Sequence, residues 1–537
     1  MRRLAILILV AACAHKSPPV GDLRFKVQDP VWRVNDRVPL AKQPKEREYN
    51  RTLYHADGFV FRRTTRALEM RPDQRAQDVN ALDEVPDSTW FTNRIGVRDV
   101  SIDELRRGPN VTASPFDHRP WTITGAKIGG LSIGFTFEDA RGDKYLLKFD
   151  KADSPEMETG AHAIVLRILW AIGYNVPEDH IGYIRAEDLV VGDKAKKKGL
   201  TPDELASALS RVYRTNDGRI RVLASRFLPG KPIGPYAREG TRKDDKNDVI
   251  PHENRRSLRG QFPIFSWLGH TDLQEDNTLD AFTDDKIVMH YLIDFGKALG
   301  TMGYHLKWQT PGHTYRLDLG MAFENLLTLG LHKRNWDGLD DPGLRGIGMF
   351  DAEHYSPGEW RPNSMYWPLE DSDRHDGFWG AKLLMRFTPE QLAAIVEEAQ
   401  YSDPRAAKFM LETLIARQHK TARYWFDRVA PLDAFEIDSD VNGARLCFTD
   451  LMLAYQLRSP KTLYKIDAYD AAGKRIGAER ALGAMPNGRT CVNGVALAND
   501  YTIVRLRVQR SSRELPPVVV HVSRDANGLR IIGLRRR

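Results

Sequence analysis

The sequence predicts an α+β chain of two lobes followed by an antiparallel β-sandwich, and three observations lead there. Two strand-like runs joined by a turn, Leu131 to Phe137 and Lys144 to Phe149 around Asp139-Ala140-Arg141-Gly142-Asp143, precede an apolar helix and define a small strand-rich lobe. Two capped helical segments farther on, starting at Thr388-Pro389 and Asp403-Pro404, close a larger helical one. After Pro431 the pattern changes to strict alternation, with Val504, Leu506 and Val508 on one face and Arg505, Arg507 and Gln509 on the other.

Each element has a local cause. In the small lobe, Ser154-Pro155-Glu156 supplies an N-cap and a proline at the first helical position, and Ile164, Leu166, Ile168 and Leu169 carry the helix up to Gly173. A further strand, Val222 to Leu228, ends at Pro229-Gly230. The charged runs Lys194 to Lys198 and Arg242 to Asp248 read as solvated loops. In the large lobe, Thr388-Pro389-Glu390-Gln391 is a capping box, and Met410, Leu411, Leu414 and Ile415 line the last helix. In the C-terminal part, Asn487-Gly488, Asn493-Gly494 and Asn527-Gly528 are expected at hairpin turns, giving a sandwich of about 100 residues.

The expected organisation is a leader at 1–12, a proline-bearing tether at 13–50 and an extension at 51–115. A two-lobed body follows at 116–430, divided near 230, and the sandwich occupies 431–537. Within the extension, Pro86-Asp87-Ser88-Thr89-Trp90-Phe91 reads as a packed aromatic turn without chemistry of its own. At 537 residues, 42% hydrophobic and 28% charged, the chain is long enough for several globular parts and is neither collagen, coiled coil nor wholly disordered. The 79 basic residues exceed the 72 acidic ones by seven, with no basic tract interleaved with aromatics, so no nucleic-acid partner is expected. Three cysteines and no His-Glu-x-x-His run point away from zinc and toward oxygen ligands for any metal.

At the N-terminus Arg2-Arg3 is followed by an apolar run, Leu4 to Ala12, too short to span a bilayer. Val10-Ala11-Ala12-Cys13 resembles a bacterial lipobox. The resemblance implies that Cys13 becomes the acylated first residue of a lipoprotein, held to the periplasmic face of the outer membrane by its lipid. The alternative is an ordinary secretory signal in which Cys13 is accidental. An oxidising compartment would let Cys447 and Cys491 pair, a bridge worth about 3 to 4 kcal/mol for a loop of about 45 residues. Two buried free thiols are the other reading.

The chemistry concentrates in His270-Thr271-Asp272-Leu273-Gln274-Glu275-Asp276-Asn277, followed by the apolar strand Ile287 to Ile293 and Asp294-Phe295-Gly296. Phosphoryl transfer asks for a carboxylate that orients the attacking hydroxyl, and for an amide oxygen and a second carboxylate that hold the metal bridging the phosphates. Asp272, Asn277 and Asp294 fit those roles. The segment resembles the catalytic loop and metal-binding turn of the protein-kinase-like superfamily. The resemblance implies a bilobal protein-kinase-like fold and a site completed upstream. Gly125-Ala126-Lys127-Ile128-Gly129-Gly130 would cover phosphates, with Gly125, Gly129 and Gly130 as the cofactor-binding glycines. Lys148 would take the α and β phosphates, with Glu158, or second Glu156, as its ion-pair partner. Implied with them are Mg²⁺ or Mn²⁺, and ATP or another nucleotide.

His270 reads as a structural support of the loop rather than a base. His-Thr-Asp lacks the arginine of His-Arg-Asp, only ten positions separate Lys148 from Glu158, and no Ala-Pro-Glu follows Asp-Phe-Gly. The chain is thereby more similar to divergent relatives such as HipA-like and CotH-like kinases. Two functions are expected to compete. One is a metal-dependent phosphotransferase acting on a hydroxyl acceptor at the cell envelope. The other is an inactive kinase-like lipoprotein that binds an envelope protein or polysaccharide. A hydrolase using Asp272 and Asp276 as paired carboxylates is not favoured, since nothing in the sequence sets their separation.

Overall fold

The computed structural model describes residues 35–69, 75–126, 133–301, 311–441, 443–458, 461–526 and 528–537. Cys13, Gly129 and Gly130 lie outside them. The chain is α+β and forms two compact units, one from the described residues up to 80 and from 84 to 429, the other from 81–83 and 430–537.

The small lobe of the first unit is a six-stranded sheet ordered β4-β6-β3-β2-β1-β5, from β1 (Trp121–Ala126), β2 (Gly134–Glu138), β3 (Lys144–Phe149), β4 (Asp179–Ile184), β5 (Leu189–Val191) and β6 (Ile220–Arg226). All pairings are antiparallel except β1 with β5. One face buries an aromatic stack in which Trp121 lies 4.3 Å from Phe137, and Phe137 5.1 Å from Tyr145. Because side chains alternate along a strand, Tyr145, Leu147 and Phe149 enter this core while Lys148 points to the opposite face.

That face meets the Met157–Ile172 helix, nearly all of whose residues are buried. The helix starts later than the Ser154 cap predicts. Glu156 has φ 68°, and the Asp150 carboxylate accepts the Glu158 and Thr159 amides at 3.0 Å each, doing the capping from the end of β3. Gly173 ends it at φ 142°, where a Cβ would lie 2.5 Å from the Phe91 ring.

In the large lobe the Gln261–Leu268 helix leads through Gly269 into the His270–Asn277 loop. A sheet of β7 (Lys231–Pro232), β8 (Thr278–Phe282) and β9 (Val288–Leu292) then returns the chain to Asp294. The Thr388 capping box and the Asp403 cap start the helices Pro389–Glu397 and Pro404–Phe426, as their sequences indicate. Trp267 Nε1 donates to the Leu414 carbonyl at 2.8 Å, tying the helix before the loop to the long terminal one.

One expectation changes here. The Arg242 to Asp248 run is solvated only in part: Lys243, Asp244 and Lys246 are exposed, but Arg242 bonds Asp280 at 2.9 Å, and Asp248 takes His252 at 2.8 Å and Arg255 at 3.0 Å. The unread extension forms the helices Arg51–Ala56, Arg62–Leu68 and Ile102–Arg107, with a π-turn at Asp57–Phe61. Its aromatic turn is buried, Trp90 stacking on His290 with 3.6 Å between ring centres.

The second unit is an antiparallel sandwich. One sheet is β10 (Leu432–Asp440), β11 (Gly443–Asp450) and β14 (Arg489–Val495). The other is β13 (Arg475–Gly483), β12 (Thr462–Tyr469), β15 (Tyr501–Arg510), β17 (Val518–Asp525) and β18 (Gly528–Arg536), with β16 (Arg513–Glu514) on β15. Val504, Leu506 and Val508 share a core with Leu446, Phe448 and Val492 of the other sheet. Cys447 and Cys491 are register partners on β11 and β14 and are joined by a disulfide. Asn487-Gly488 makes a turn, but it crosses between the sheets rather than closing a hairpin. Asn493-Gly494 lies inside β14 beside a bulge, and Asn527 lies outside the described residues. No described helix is long and apolar enough to cross a membrane.

Candidate functional site

Four segments distant in sequence meet between the small sheet and the helical lobe. Lys148, 3% exposed, donates from Nζ to Asp294 Oδ1 at 2.8 Å and to His162 Nε2 at 3.1 Å. His162 Nδ1 sits 3.1 Å from Asp179 Oδ2, which orients the ring. Burial alone depresses an ammonium. Here the carboxylates of Asp294 and then Glu158 outweigh it and hold the Lys148 pKa above its ordinary value.

Glu158 projects from the first turn of the Met157–Ile172 helix. Its ligand oxygen, a ring nitrogen of His162 and an Asp294 oxygen lie within 4.8 Å of one another. Gly296 permits this approach, since a Cβ there would lie 2.5 Å from Glu158 Cγ. Glu158, the expected partner of Lys148, acts on its charge after Asp294. Glu156, the second candidate, turns away and accepts the Ser402 amide at 2.9 Å. Asp294 has φ 61°, a left-handed conformation that aspartate tolerates better than most residues, and its side chain keeps 35% exposure.

Asp272 lies on the same segment system, 4% exposed. Asn277 Nδ2 donates to both the Asp272 carbonyl, at 2.5 Å, and its Oδ2, at 3.0 Å. The amide nitrogen is thereby spent inside the loop, leaving the amide oxygen as the atom with ligand chemistry. Lys297 Nζ bonds the same Asp272 Oδ2 at 2.7 Å. Sequence reading missed Lys297, although it directly follows Asp294-Phe295-Gly296 and stands where a charge next to the loop could have been suspected. His270 is fully enclosed, with Nδ1 3.4 Å from the Lys297 carbonyl and its pKa lowered by burial to about 4, in keeping with a neutral support.

The end of the expected tether and the start of the extension also reach the loop. Arg47 pairs with Glu275 at 2.6 Å and Arg51 with Asp276 at 3.9 Å. Burial, with Asp272 adding to it, raises the Asp276 pKa to about 6 against the opposing charges of Arg51 and Lys297. Gly125 closes β1, where a Cβ would meet Thr136 Oγ1 at 3.3 Å. Its two partner glycines are outside the described residues.

The donors suit a hard divalent cation. Glu158 and Asp294 offer carboxylate oxygens in mutual reach beside a His162 ring nitrogen, and Asn277 carries an amide oxygen on the Asp272 loop. Oxygen donors of this kind fit Mg²⁺ or Mn²⁺ better than zinc.

A buried strand lysine faces an interlobe carboxylate, and a loop aspartate is braced by an asparagine five residues on, in an α+β body with a small, mostly antiparallel sheet, one buried helix and a larger helical lobe. No protein family and no curated protein matches the sequence. Among solved structures, the crystal structure of the Golgi casein kinase with Mn/ADP bound is similar at 14% identity and a TM-score of 0.30, over 60% of this chain and 74% of that one. A second crystal structure of the Golgi casein kinase is similar at 14% identity and a TM-score of 0.29, over 60% and 73%.

Proposed function

We propose that the protein is a metal-dependent phosphotransferase that moves a phosphoryl group from a nucleotide to a hydroxyl acceptor. The observation that supports the reading is the Lys148–Asp294 ion pair together with the loop in which Asn277 and Lys297 hold Asp272, Lys297 standing three residues after Asp294. In this reading Lys148 would bind the non-transferred phosphates, and Asp294 with Asn277 and Glu158 would hold a divalent metal whose charge would offset that of the phosphates. The Asp272 carboxylate accepts the proton of the acceptor hydroxyl as the hydroxyl oxygen bonds phosphorus and the nucleoside diphosphate leaves. Lys297, bonded to that carboxylate, fixes its orientation and adds a positive charge beside the transferring group.

An envelope location at the outer membrane is part of the proposal. It is supported by the apolar run ending at Cys13 and by the Cys447–Cys491 disulfide, a bond favoured in oxidising compartments. The scaffold reading, an inactive kinase-like lipoprotein with an envelope protein or polysaccharide partner, is favoured by one feature: Lys148 directly engages Asp294, the carboxylate a metal would need.

Label transfer from γ-labelled ATP, with Mg²⁺ or Mn²⁺, to protein, peptide and saccharide hydroxyls separates the two. Wild type transfers label and Asp272→Asn does not, while both bind the nucleotide. Nucleotide binding without transfer to any acceptor or to water would leave the scaffold reading standing.

A further inference from the structure

Glu158 and His162 stand four residues apart on the Met157–Ile172 helix, so both side chains leave the same face, the one that Asp294 approaches. One ligand atom from each of the three lies within 4.8 Å of the other two. His162 Nε2 and Asp294 Oδ1 are 3.5 Å apart, close enough to share one ion at the about 2.0–2.2 Å usual for nitrogen and carboxylate ligands. Sequence reading found Glu158 and Asp294 but missed His162. The imidazole is held in place from behind. His162 is 2% exposed, and its Nδ1 lies 3.1 Å from the carboxylate of Asp179, which is buried in turn and whose amide donates to Asn110 Oδ1 at 3.0 Å. A carboxylate behind the far ring nitrogen is the arrangement that orients a histidine toward a metal.

A cation already sits against these ligand atoms. Lys148 Nζ is 2.8 Å from Asp294 Oδ1 and 3.1 Å from His162 Nε2, so an ammonium fills the place where an ion would meet both. Like charge and shared partner atoms keep the two cations from being held there together. We propose that His162 is a directly bound nitrogen ligand of the divalent ion, beside Glu158 and Asp294, and that the Lys148 ammonium and the ion are alternative occupants of one place. The inference rests on the phosphotransferase reading for the ion, while its test uses neither nucleotide nor acceptor. Mg²⁺ prefers oxygen ligands and dehydrates reluctantly, so a nitrogen in the set favours a transition ion such as Mn²⁺ over it.

The test titrates Mn²⁺ into the full chain without nucleotide and reads the ion by electron paramagnetic resonance, with spin-echo modulation reporting a directly bound nitrogen. Mn²⁺ bound to wild type should show nitrogen coupling that His162→Gln removes. Lys148→Met should bind Mn²⁺ at least about tenfold more tightly than wild type, since the competing ammonium is gone. His162→Gln added to it should weaken binding at least about tenfold. Asp179→Asn in the same background should weaken binding about 10- to 100-fold but keep the nitrogen coupling, as a positioning residue does. Mg²⁺ should compete for the Lys148→Met site at least about tenfold less well than Mn²⁺, a gap that His162→Gln narrows. Nitrogen coupling that survives His162→Gln, or bound Mn²⁺ without nitrogen coupling, makes His162 part of a structural hydrogen-bond network and overturns the ligand assignment. The wild-type and His162→Gln spectra decide this even where Lys148→Met does not fold. Equal Mn²⁺ affinity of wild type and folded Lys148→Met overturns the shared place, and absence of Mn²⁺ binding by both overturns the proposal. Label transfer to an acceptor without nitrogen coupling would retain the phosphotransferase reading and end this one.

Discussion

Lys297 Nζ bonds Asp272 Oδ2 at 2.7 Å, so the residue after Asp-Phe-Gly braces the carboxylate of His-Thr-Asp across 25 positions of sequence. Position 274, two after the aspartate, is a glutamine whose Nε2 is 3.4 Å from Asp272 Oδ1. The cation beside the loop aspartate is therefore delivered from the following strand's end. Lys297→Met is expected to lower kcat about 10²- to 10³-fold, the range for removing one preorganised donor from a developing charge, with KM for nucleotide changed far less. Lys297→Arg should recover part of the rate. Steady-state kinetics on the three proteins checks this, and a loss confined to KM would place Lys297 in nucleotide binding instead.

Asp294 and Asp272 should separate binding from transfer. Asp294→Ala removes a carboxylate common to Lys148 and the candidate metal site, so metal-dependent stabilisation by nucleotide should vanish in thermal melts. Asp272→Asn keeps the shape of the loop and should retain the nucleotide-induced rise in Tm while losing transfer. Identical melts of Asp294→Ala and wild type with metal and nucleotide would remove Asp294 from the metal site.

Asp276 gives a pH dependence with a definite sign. Its carboxyl, at 3.8 in the ordinary range, titrates near 6 in the folded chain because of burial and then Asp272. The folded state holds this proton more tightly than the unfolded one. Its stabilising effect is complete below about pH 4 and is lost as pH rises through about 6. Asp276→Asn should flatten that part of the stability profile, by about 1–3 kcal/mol once partial exposure is allowed for. Chemical denaturation of both proteins between pH 4 and 8 measures it, and parallel profiles would refute the assignment.

The parts legible in sequence are those whose cause is local. The Thr388 capping box, the alternation through Val504 to Val508 and the Asp272–Asn277 offset each depend on a few neighbouring residues, and the structure has these elements at those positions. The end of the expected tether and the extension were illegible because their contacts are distant: Arg47 with Glu275, Trp90 on His290 and Asp36 accepting from Thr89 Oγ1 at 2.6 Å join residues up to two hundred or more apart. The start of the Met157–Ile172 helix was misplaced for a related reason. Ser154 has the right side chain, but Asp150 reaches the orphan amides first. Gly494 misled because a glycine of positive φ serves a bulge within a strand as well as a turn.

The Cys447–Cys491 bridge closes 44 residues between β11 and β14, enclosing β12 and β13. Cys447→Ser/Cys491→Ser should cost the sandwich about 3–4 kcal/mol by releasing the unfolded chain. Urea unfolding followed by far-ultraviolet circular dichroism checks this. Reductant should shift the wild-type transition toward that of the variant and leave the variant unmoved.

The account's central claim is that the interlobe polar groups hold a metal–nucleotide complex. Calorimetric titration of ATP into the wild-type chain, with Mg²⁺ or Mn²⁺ and again with chelator, tests it most directly. Saturable binding that requires the divalent ion is the result expected. No heat of binding under either condition, with the protein shown folded, would contradict it.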